Sequence, residues 1–180
     1  MAQRLNSADA AGVLHFVTLN IRERKRPFVR PEYSRLALQE LRFECDRHPA
    51  LLVAYVVMPD HLHFIISPQD GRVSRFLARY KPAVTTKIDA LALQNTREAE
   101  RAWLNRKGRR ELWQDGKYSL ALHSRKWIAQ KIDYIHTNPV RAGLVEHARD
   151  YKWSSFRAYD GESETSPPVP VDCWMDFRVE

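Results

Sequence analysis

Cysteine is nearly absent. The 180 residues hold two, Cys45 and Cys173, far apart and without C-x-x-C spacing. Neither a disulfide framework nor a thiolate zinc centre is supported, so any chemistry must come from histidine, tyrosine, carboxylates or amides. Long apolar runs are missing as well. No stretch approaches the ~18 residues needed to span a bilayer, and residues 1–10 lack the apolar segment of a secretory signal. The expectation is a cytoplasmic protein without membrane contact. There is no internal repeat. Negative charge is the scarcer sign: 22 Asp and Glu stand against 29 Lys and Arg, a formal net charge of +7. That surplus makes a polyanion the first partner to consider, although net charge speaks only to non-specific attraction.

What is present suffices for one domain. Hydrophobic residues make up 44% of the chain and aromatics 11%, and a chain of this size buries about 70% of its unfolded surface. Disorder is excluded as the main state. Residues 12–19 read as a strand, rich in β-branched and aromatic side chains and closed by a basic run and Pro27. Pro31 opens a helix with apolar positions at Leu36, Leu38, Leu41 and Phe43, which His48-Pro49 stops. Two apolar runs, 51–58 and 61–66, flank the turn-forming pair Pro59-Asp60 and predict a hairpin. A second helix begins near Val73 with Phe76, Leu77 and Tyr80 on one side and Arg75 and Arg79 on the other. Pro82 is expected to bend or break it.

Residues 94–110 are polar and end in Arg106-Lys107-Gly108-Arg109-Arg110, read as a solvated helix or loop. Leu112-Trp113 and residues 118–122 suggest a further strand. Ser124 can cap a third helix from Arg125 to about Asn138, ended by Pro139. Trp153 and Phe156 follow, then a Ser/Pro-rich stretch and a last apolar patch at Trp174 and Phe177. This order predicts an α+β fold: a ferredoxin-like (RRM-like) antiparallel sheet with helices on one face, followed by a C-terminal helix. The expected division is a domain over 1–160 and a connector and tail over 161–180 that packs on or near it.

Two places carry candidate chemistry. In the second strand of the hairpin, His61 and His63 point the same way while Leu62, Phe64 and Ile66 point the other. Two polar rings on a central strand need partners, and a shared metal ion is one; hydrogen bonds at a sheet edge are the alternative. On the third helix Ile128, Ile132 and Ile135 make the packing stripe, while Trp127, Lys131, Tyr134 and Asn138 form an adjacent one. Tyr134 and Asn138 are one turn apart, so a phenol and an amide are presented together. Lys131 sits a turn earlier, where an ammonium can favour phenolate or neutralise a phosphate oxygen.

Two long blocks resemble the HUH-superfamily single-strand tyrosine transposases, particularly the REP-associated tyrosine transposases. They are Val56-Val57-Met58-Pro59-Asp60-His61-Leu62-His63-Phe64-Ile65-Ile66 and Tyr134-Ile135-His136-Thr137-Asn138-Pro139-Val140-Arg141-Ala142-Gly143-Leu144-Val145. His15-Phe16-Val17-Thr18, Leu112-Trp113-Gln114 and Trp153-Ser154-Ser155 add to the likeness, which runs from about Val13 to Tyr159. The resemblance implies that His61 and His63 are metal ligands, that Asn138 is the third, and that Tyr134 is the nucleophile on a catalytic helix. It implies a divalent cofactor, Mg²⁺ or Mn²⁺, and nicking and rejoining of single-stranded or hairpin DNA through a 5′-phosphotyrosine. The DNA would be a palindromic repeat element, the protein a monomer or homodimer acting at the nucleoid. Lys131, Arg75, Arg79 and Arg141 are candidate DNA contacts. The rival readings are a non-catalytic RRM-like nucleic-acid-binding module, a purely structural metal site at His61 and His63, and a hydrolytic metallonuclease. Position 60 is often Asn in that family; Asp60 here either adds a carboxylate near the metal or makes the turn. His123 is given no role, and residues 94–110 match no segment of the family.

Overall fold

Side chains on a strand alternate between faces, and here both faces are apolar, so the sheet must be covered twice. The computed structural model describes residues 12–97, 105–106, 109–116, 118–161 and 166–172. In chain order the elements are β1 (Leu14–Asn20), α1 (Pro31–Arg47), β2 (Ala50–Met58), β3 (His61–Pro68), α2 (Val73–Gln94), β4 (Asn105–Arg106), β5 (Arg109–Arg110), β6 (Tyr118–Leu122) and α3 (Arg125–Arg141). The main sheet is antiparallel throughout in the order β2-β3-β1-β6. With β6 as its fourth strand this is the ferredoxin-like α+β arrangement. Met58 pairs with His61 across the hairpin, leaving Pro59-Asp60 as its two-residue loop.

One face of the sheet carries Val17, Leu19, Leu62, Phe64 and Ile66, and α1 and α2 cover it with Tyr33, Leu38, Leu41, Phe76, Tyr80 and Val84. The opposite face carries Leu14, Phe16, Val56, Met58 and Ile65, and α3 covers that one with Ile128, Ile132 and Ile135. A 17-residue helix is marginal alone in water. Each buried isoleucine contributes roughly 1.5–3 kcal/mol of transfer free energy, so the stripe is what docks α3. Ser124 caps the helix by accepting the Trp127 N–H on its side-chain oxygen at 3.2 Å.

Neither internal proline breaks its helix, which corrects the expected stop at Pro139 and the expected break at Pro82. Pro82 does not break α2, which runs through it. Tyr80 and Val84 on either side are fully buried, and the Lys81 carbonyl accepts from the Trp113 indole N–H at 3.0 Å and the Thr85 hydroxyl at 2.8 Å. Tertiary anchoring of this kind outweighs the ~3 kcal/mol propensity cost of an interior proline. Nor does Pro139 end α3. The helix continues to Arg141 and closes with Gly143 at φ +66°, Gly143 N bonding Val140 O and Leu144 N bonding Pro139 O. That pair of bonds is a Schellman motif, which needs the left-handed backbone glycine supplies.

Residues 105–106 and 109–110 form a two-stranded ladder instead of a solvated helix or loop; residues 98–104 and 107–108 lie outside the described residues. Residues 153–155 run along the outer edge of β2, with Val57 N to Trp153 O at 2.9 Å and Ser155 N to Tyr55 O at 3.0 Å. Covering that edge removes a row of open backbone groups. Beyond it, Val169 is buried in the α1/α2 core and Asp172 accepts from Leu52 N at 2.8 Å and Arg42 at 3.0 Å. Trp174, Phe177 and Cys173 lie outside the described residues. Cys45 is buried, which pushes its thiol up to about 12. No helix among the described residues is long and apolar enough to cross a membrane.

His136, on α3, is buried and shares a 2.9 Å hydrogen bond between Nε2 and Ser155 Oγ. Ser155 Oγ in turn accepts the Tyr55 N–H at 2.9 Å, so the ring locks the 153–155 segment to the sheet. Burial lowers the His136 pKa from 6.5 to about 4. Between those values the unfolded chain binds the proton and the folded one does not, so stability falls as pH drops through 6.5 and levels off below about 4. The expected loss from this residue is about 3 kcal/mol. Urea melts of wild type and His136→Gln at pH 7, 5 and 4 measure it: the wild type should lose this increment and the variant should not. Equal pH slopes for the two proteins would assign the acid sensitivity elsewhere.

Candidate active site

The candidate residues converge because of one register. Antiparallel pairing of β1 with β3 sets Thr18 opposite His63 and Asn20 opposite His61. Both histidines lie on the face that α3 covers. Thr18 Oγ1 and His63 Nδ1 share a 2.8 Å hydrogen bond, and Phe16, two residues back on the same face, stacks on His63 at 5.3 Å and 23°. The His61 and His63 rings stand 4.7 Å apart at 71°. His61 donates its Nδ1–H to Asp60 Oδ1 at 2.7 Å, and Asp60 Oδ2 accepts from Arg24 at 3.2 Å. The turn holding Asp60 is pinned from below by Ile21 N to Asp60 O at 2.8 Å and Phe28 N to Pro59 O at 3.2 Å.

Tyr134 arrives from α3. Its ring meets His63 edge-on at 5.3 Å and 68°, and Phe16 at 5.9 Å and 80°. The Lys131 ammonium lies 4.7 Å from the Phe16 ring centre and 5.4 Å from that of Tyr134, and the Arg141 guanidinium is 5.9 Å from the same tyrosine ring. Cations over aromatic faces are held by the ring quadrupole, which here keeps two positive charges beside the phenol.

Burial, followed by the charges of His61 and Lys131, depresses the His63 pKa to about 3, so its ring is neutral at ordinary pH. Burial opposes ionisation of Asp60, but the hydrogen bond from His61 and the Arg24 guanidinium outweigh it and hold the carboxyl below its usual value. With both Nδ1 atoms engaged, the Nε2 atoms are the nitrogens left to act. Neutral imidazoles whose far nitrogens are hydrogen-bonded are the form in which histidine ligates metals. The donor set therefore fits a divalent cation. Among the described residues no group of three His, Cys, Asp or Glu side chains gathers to hold a metal ion.

Of the residues singled out from sequence, His61, His63, Tyr134, Lys131 and Arg141 come together. Asn138 is half-buried one turn beyond Tyr134 on the same helix. Arg75 and Arg79 do not join the cluster. They lie on α2, which packs on the other face of the sheet, where Arg75 pairs with Asp70 at 3.6 Å and Arg79 with Glu44 at 3.0 Å. Thr18, Phe16 and Arg24 escaped the sequence reading as site residues. Thr18 and Phe16 do alternate onto one face of β1, but only the β1–β3 register brings that face to the histidines.

No protein-family model matches the chain. Over 160 residues, 87% of this chain and 86% of the relative, it is 27% identical to a Haemophilus influenzae protein assigned to the REP-associated tyrosine transposases. It is also 27% identical, over 141 residues covering 78% of this chain and 74% of the relative, to the REP-associated tyrosine transposase of Escherichia coli K12. In fold it matches the solved structure of a REP-associated tyrosine transposase bound to a REP hairpin, with a TM-score of 0.67 at 23% identity, covering 94% of this chain and 92% of the other. In sequence over most of its length and in fold over nearly all of it, the chain is similar to the REP-associated tyrosine transposases.

Proposed function

We propose that this protein is a metal-dependent transposase that cuts and rejoins single-stranded or hairpin DNA through a 5′-phosphotyrosine intermediate. The observation that carries the reading is the contact of the Tyr134 ring with His63, one of two imidazoles 4.7 Å apart whose Nδ1 atoms are both already bonded. His61 and His63 would hold a divalent ion, Mg²⁺ or Mn²⁺, through Nε2, with the Asn138 amide as third ligand. When bound, that ion polarises the scissile phosphate and stabilises its developing charge. The Tyr134 oxygen attacks phosphorus in line, forming the O–P bond as the P–O3′ bond breaks. The phenolic proton leaves and the departing 3′ oxygen ends as a hydroxyl. The Lys131 ammonium and the Arg141 guanidinium, 5.4 and 5.9 Å from the Tyr134 ring centre, would neutralise phosphate oxygens brought to the phenol. The phosphodiester is conserved in the covalent bond, so a second 3′-OH can reverse the step and join strands without ATP.

The relatives' names and the hairpin-bound neighbour support palindromic repeat DNA as the partner, and the surplus positive charge supports binding to a polyanion. The test is a hairpin oligonucleotide from the gene's own flanking repeats, incubated with the full chain and Mn²⁺ and run on a denaturing gel. The strand labelled at its 3′ end should move with the protein, and the 5′-labelled fragment should be released with a free 3′-OH. Metal-dependent cleavage without an adduct would instead mark a hydrolytic nuclease. Binding with no cleavage under either ion would mark a non-catalytic binding module.

A further inference from the structure

Asp60 has two uses open to it, as a ligand or as a turn former, and the geometry shows a third. Its Oδ1 accepts the His61 Nδ1–H at 2.7 Å and its Oδ2 accepts from Arg24 at 3.2 Å. Both oxygens are thus turned onto the protein. We propose that Asp60, held by Arg24, is a positioning residue that fixes the tautomer and orientation of His61 for metal binding. This rests on the metal-site reading above and concerns only how this chain aims one ligand.

A carboxylate at Nδ1 places the ring proton there and leaves the lone pair on Nε2, while stopping rotation of the ring and raising its basicity as a ligand. His61 is the histidine that needs such a tether. His63 is 5% exposed, stacked on Phe16 and bonded to Thr18. His61 sits at the very start of β3 beside the turn, with its side chain 17% exposed and Asp60 as its hydrogen-bond partner. The two ligands are therefore oriented by different devices, a neutral hydroxyl inside the sheet and a charged pair at its rim.

Arg24 reaches Asp60 through an unusual backbone. Glu23 and Arg24 have φ of +57° and +53°, consecutive non-glycine residues in the left-handed region. Such conformations are disfavoured and persist where surrounding contacts over-determine them. Here the flanks are tied: Ile21 N bonds Asp60 O at 2.8 Å, Arg22 N bonds Leu112 O at 3.0 Å, and the Arg22 guanidinium reaches Glu111 at 3.2 Å. The left-handed pair turns the chain so that the Arg24 side chain returns to the hairpin. Salt bridges at exposed side chains are weak as stabilisers, so the consequence of this one lies in holding the carboxylate.

The discriminating substitution is Asp60→Asn. An asparagine keeps the turn and can still accept the Nδ1–H through its amide oxygen, but it loses the charge, and its amide nitrogen cannot accept from Arg24. Mn²⁺ titration of the DNA-free full chain by electron paramagnetic resonance should show about 10-fold weaker binding for Asp60→Asn and up to about 100-fold for Asp60→Ala. Arg24→Ala should weaken it by a smaller factor, and Arg24→Ala combined with Asp60→Asn should be no weaker than Asp60→Asn alone, since both act through one pair. Nitrogen-15 spectra of the metal-free protein should show His61 as the Nδ1–H tautomer in wild type and a mixture in Asp60→Ala. A simple turn-forming role predicts altered metal-free melting with unchanged Mn²⁺ affinity. Asp60→Asn within twofold of a wild type whose Mn²⁺ binding is lost in His61→Ala would overturn the positioning role alone. Wild-type Mn²⁺ binding unaffected by His61→Ala would overturn the metal site and the positioning role together.

Discussion

Tyr134→Phe is expected to lower strand cleavage by at least about 10⁴-fold and to abolish the covalent adduct, because the attacking oxygen is the only atom removed. The fold should not notice. Tyr134 contributes its ring to the packing against His63 and Phe16, contacts a phenylalanine keeps, and its hydroxyl makes no hydrogen bond to the described residues. Melting should therefore shift by no more than a surface substitution does, about 0.5 kcal/mol. Hairpin binding should stay within about twofold, since Lys and Arg rather than the phenol supply phosphate contacts. Single-turnover cleavage, a gel-shift titration and a thermal melt on the same preparation separate these claims. A phenylalanine variant that still cuts would show that water, not Tyr134, is the nucleophile. The melt on the same preparation separates loss of chemistry from loss of fold.

The second large effect is expected at the imidazole pair. His61→Ala, or treatment of the wild type with a chelator, should reduce cleavage by at least about 10²–10³-fold, the usual scale for removing a preorganised charge stabiliser. His61 is the better choice than His63, which is buried under Phe16 and bonded to Thr18, so that its truncation would also leave a cavity and a half-buried hydroxyl without its partner. Hairpin affinity measured in chelator should survive within a few-fold and should fall steeply with added salt, as counterion release requires. Cleavage rates against Mn²⁺ concentration and filter binding in parallel provide the readouts. If chelation instead lowered the melting temperature and left cleavage intact, the histidines would be a structural site and the mechanism proposed for Tyr134 would lose its electrophilic partner.

Much of this centre was legible in the linear sequence because its parts are local. Period-two alternation alone puts His61 and His63 on one side of β3, and helical spacing alone puts Ile128, Ile132 and Ile135 on one stripe of α3 with Tyr134 beside it. The turn at Pro59-Asp60, the capping serine at 124 and the helix at Pro31 follow from equally short-range chemistry. Reading the prolines by the same local rule failed at Pro82 and Pro139. There a breaker's cost of a few kcal/mol competes with burial of whole side chains on both flanks, such as Tyr80 and Val84, and burial prevails.

What the sequence by itself determined, then, is which side chains share a face: two histidines on a strand, a phenol, an ammonium and an amide on a helix, with a net positive charge around them. Only the tertiary structure decided that these two faces meet. Both faces of the sheet are apolar, so local patterning does not say which one α1 and α2 take and which is left to α3. Strand register likewise depends on contacts between residues far apart in the chain, such as Thr18 with His63 and Arg24 with Asp60. Those choices are made by the summed burial of the two layers and by closure of the loops between them. They set Tyr134 against His63 and gave each imidazole the partner that leaves its Nε2 atom available.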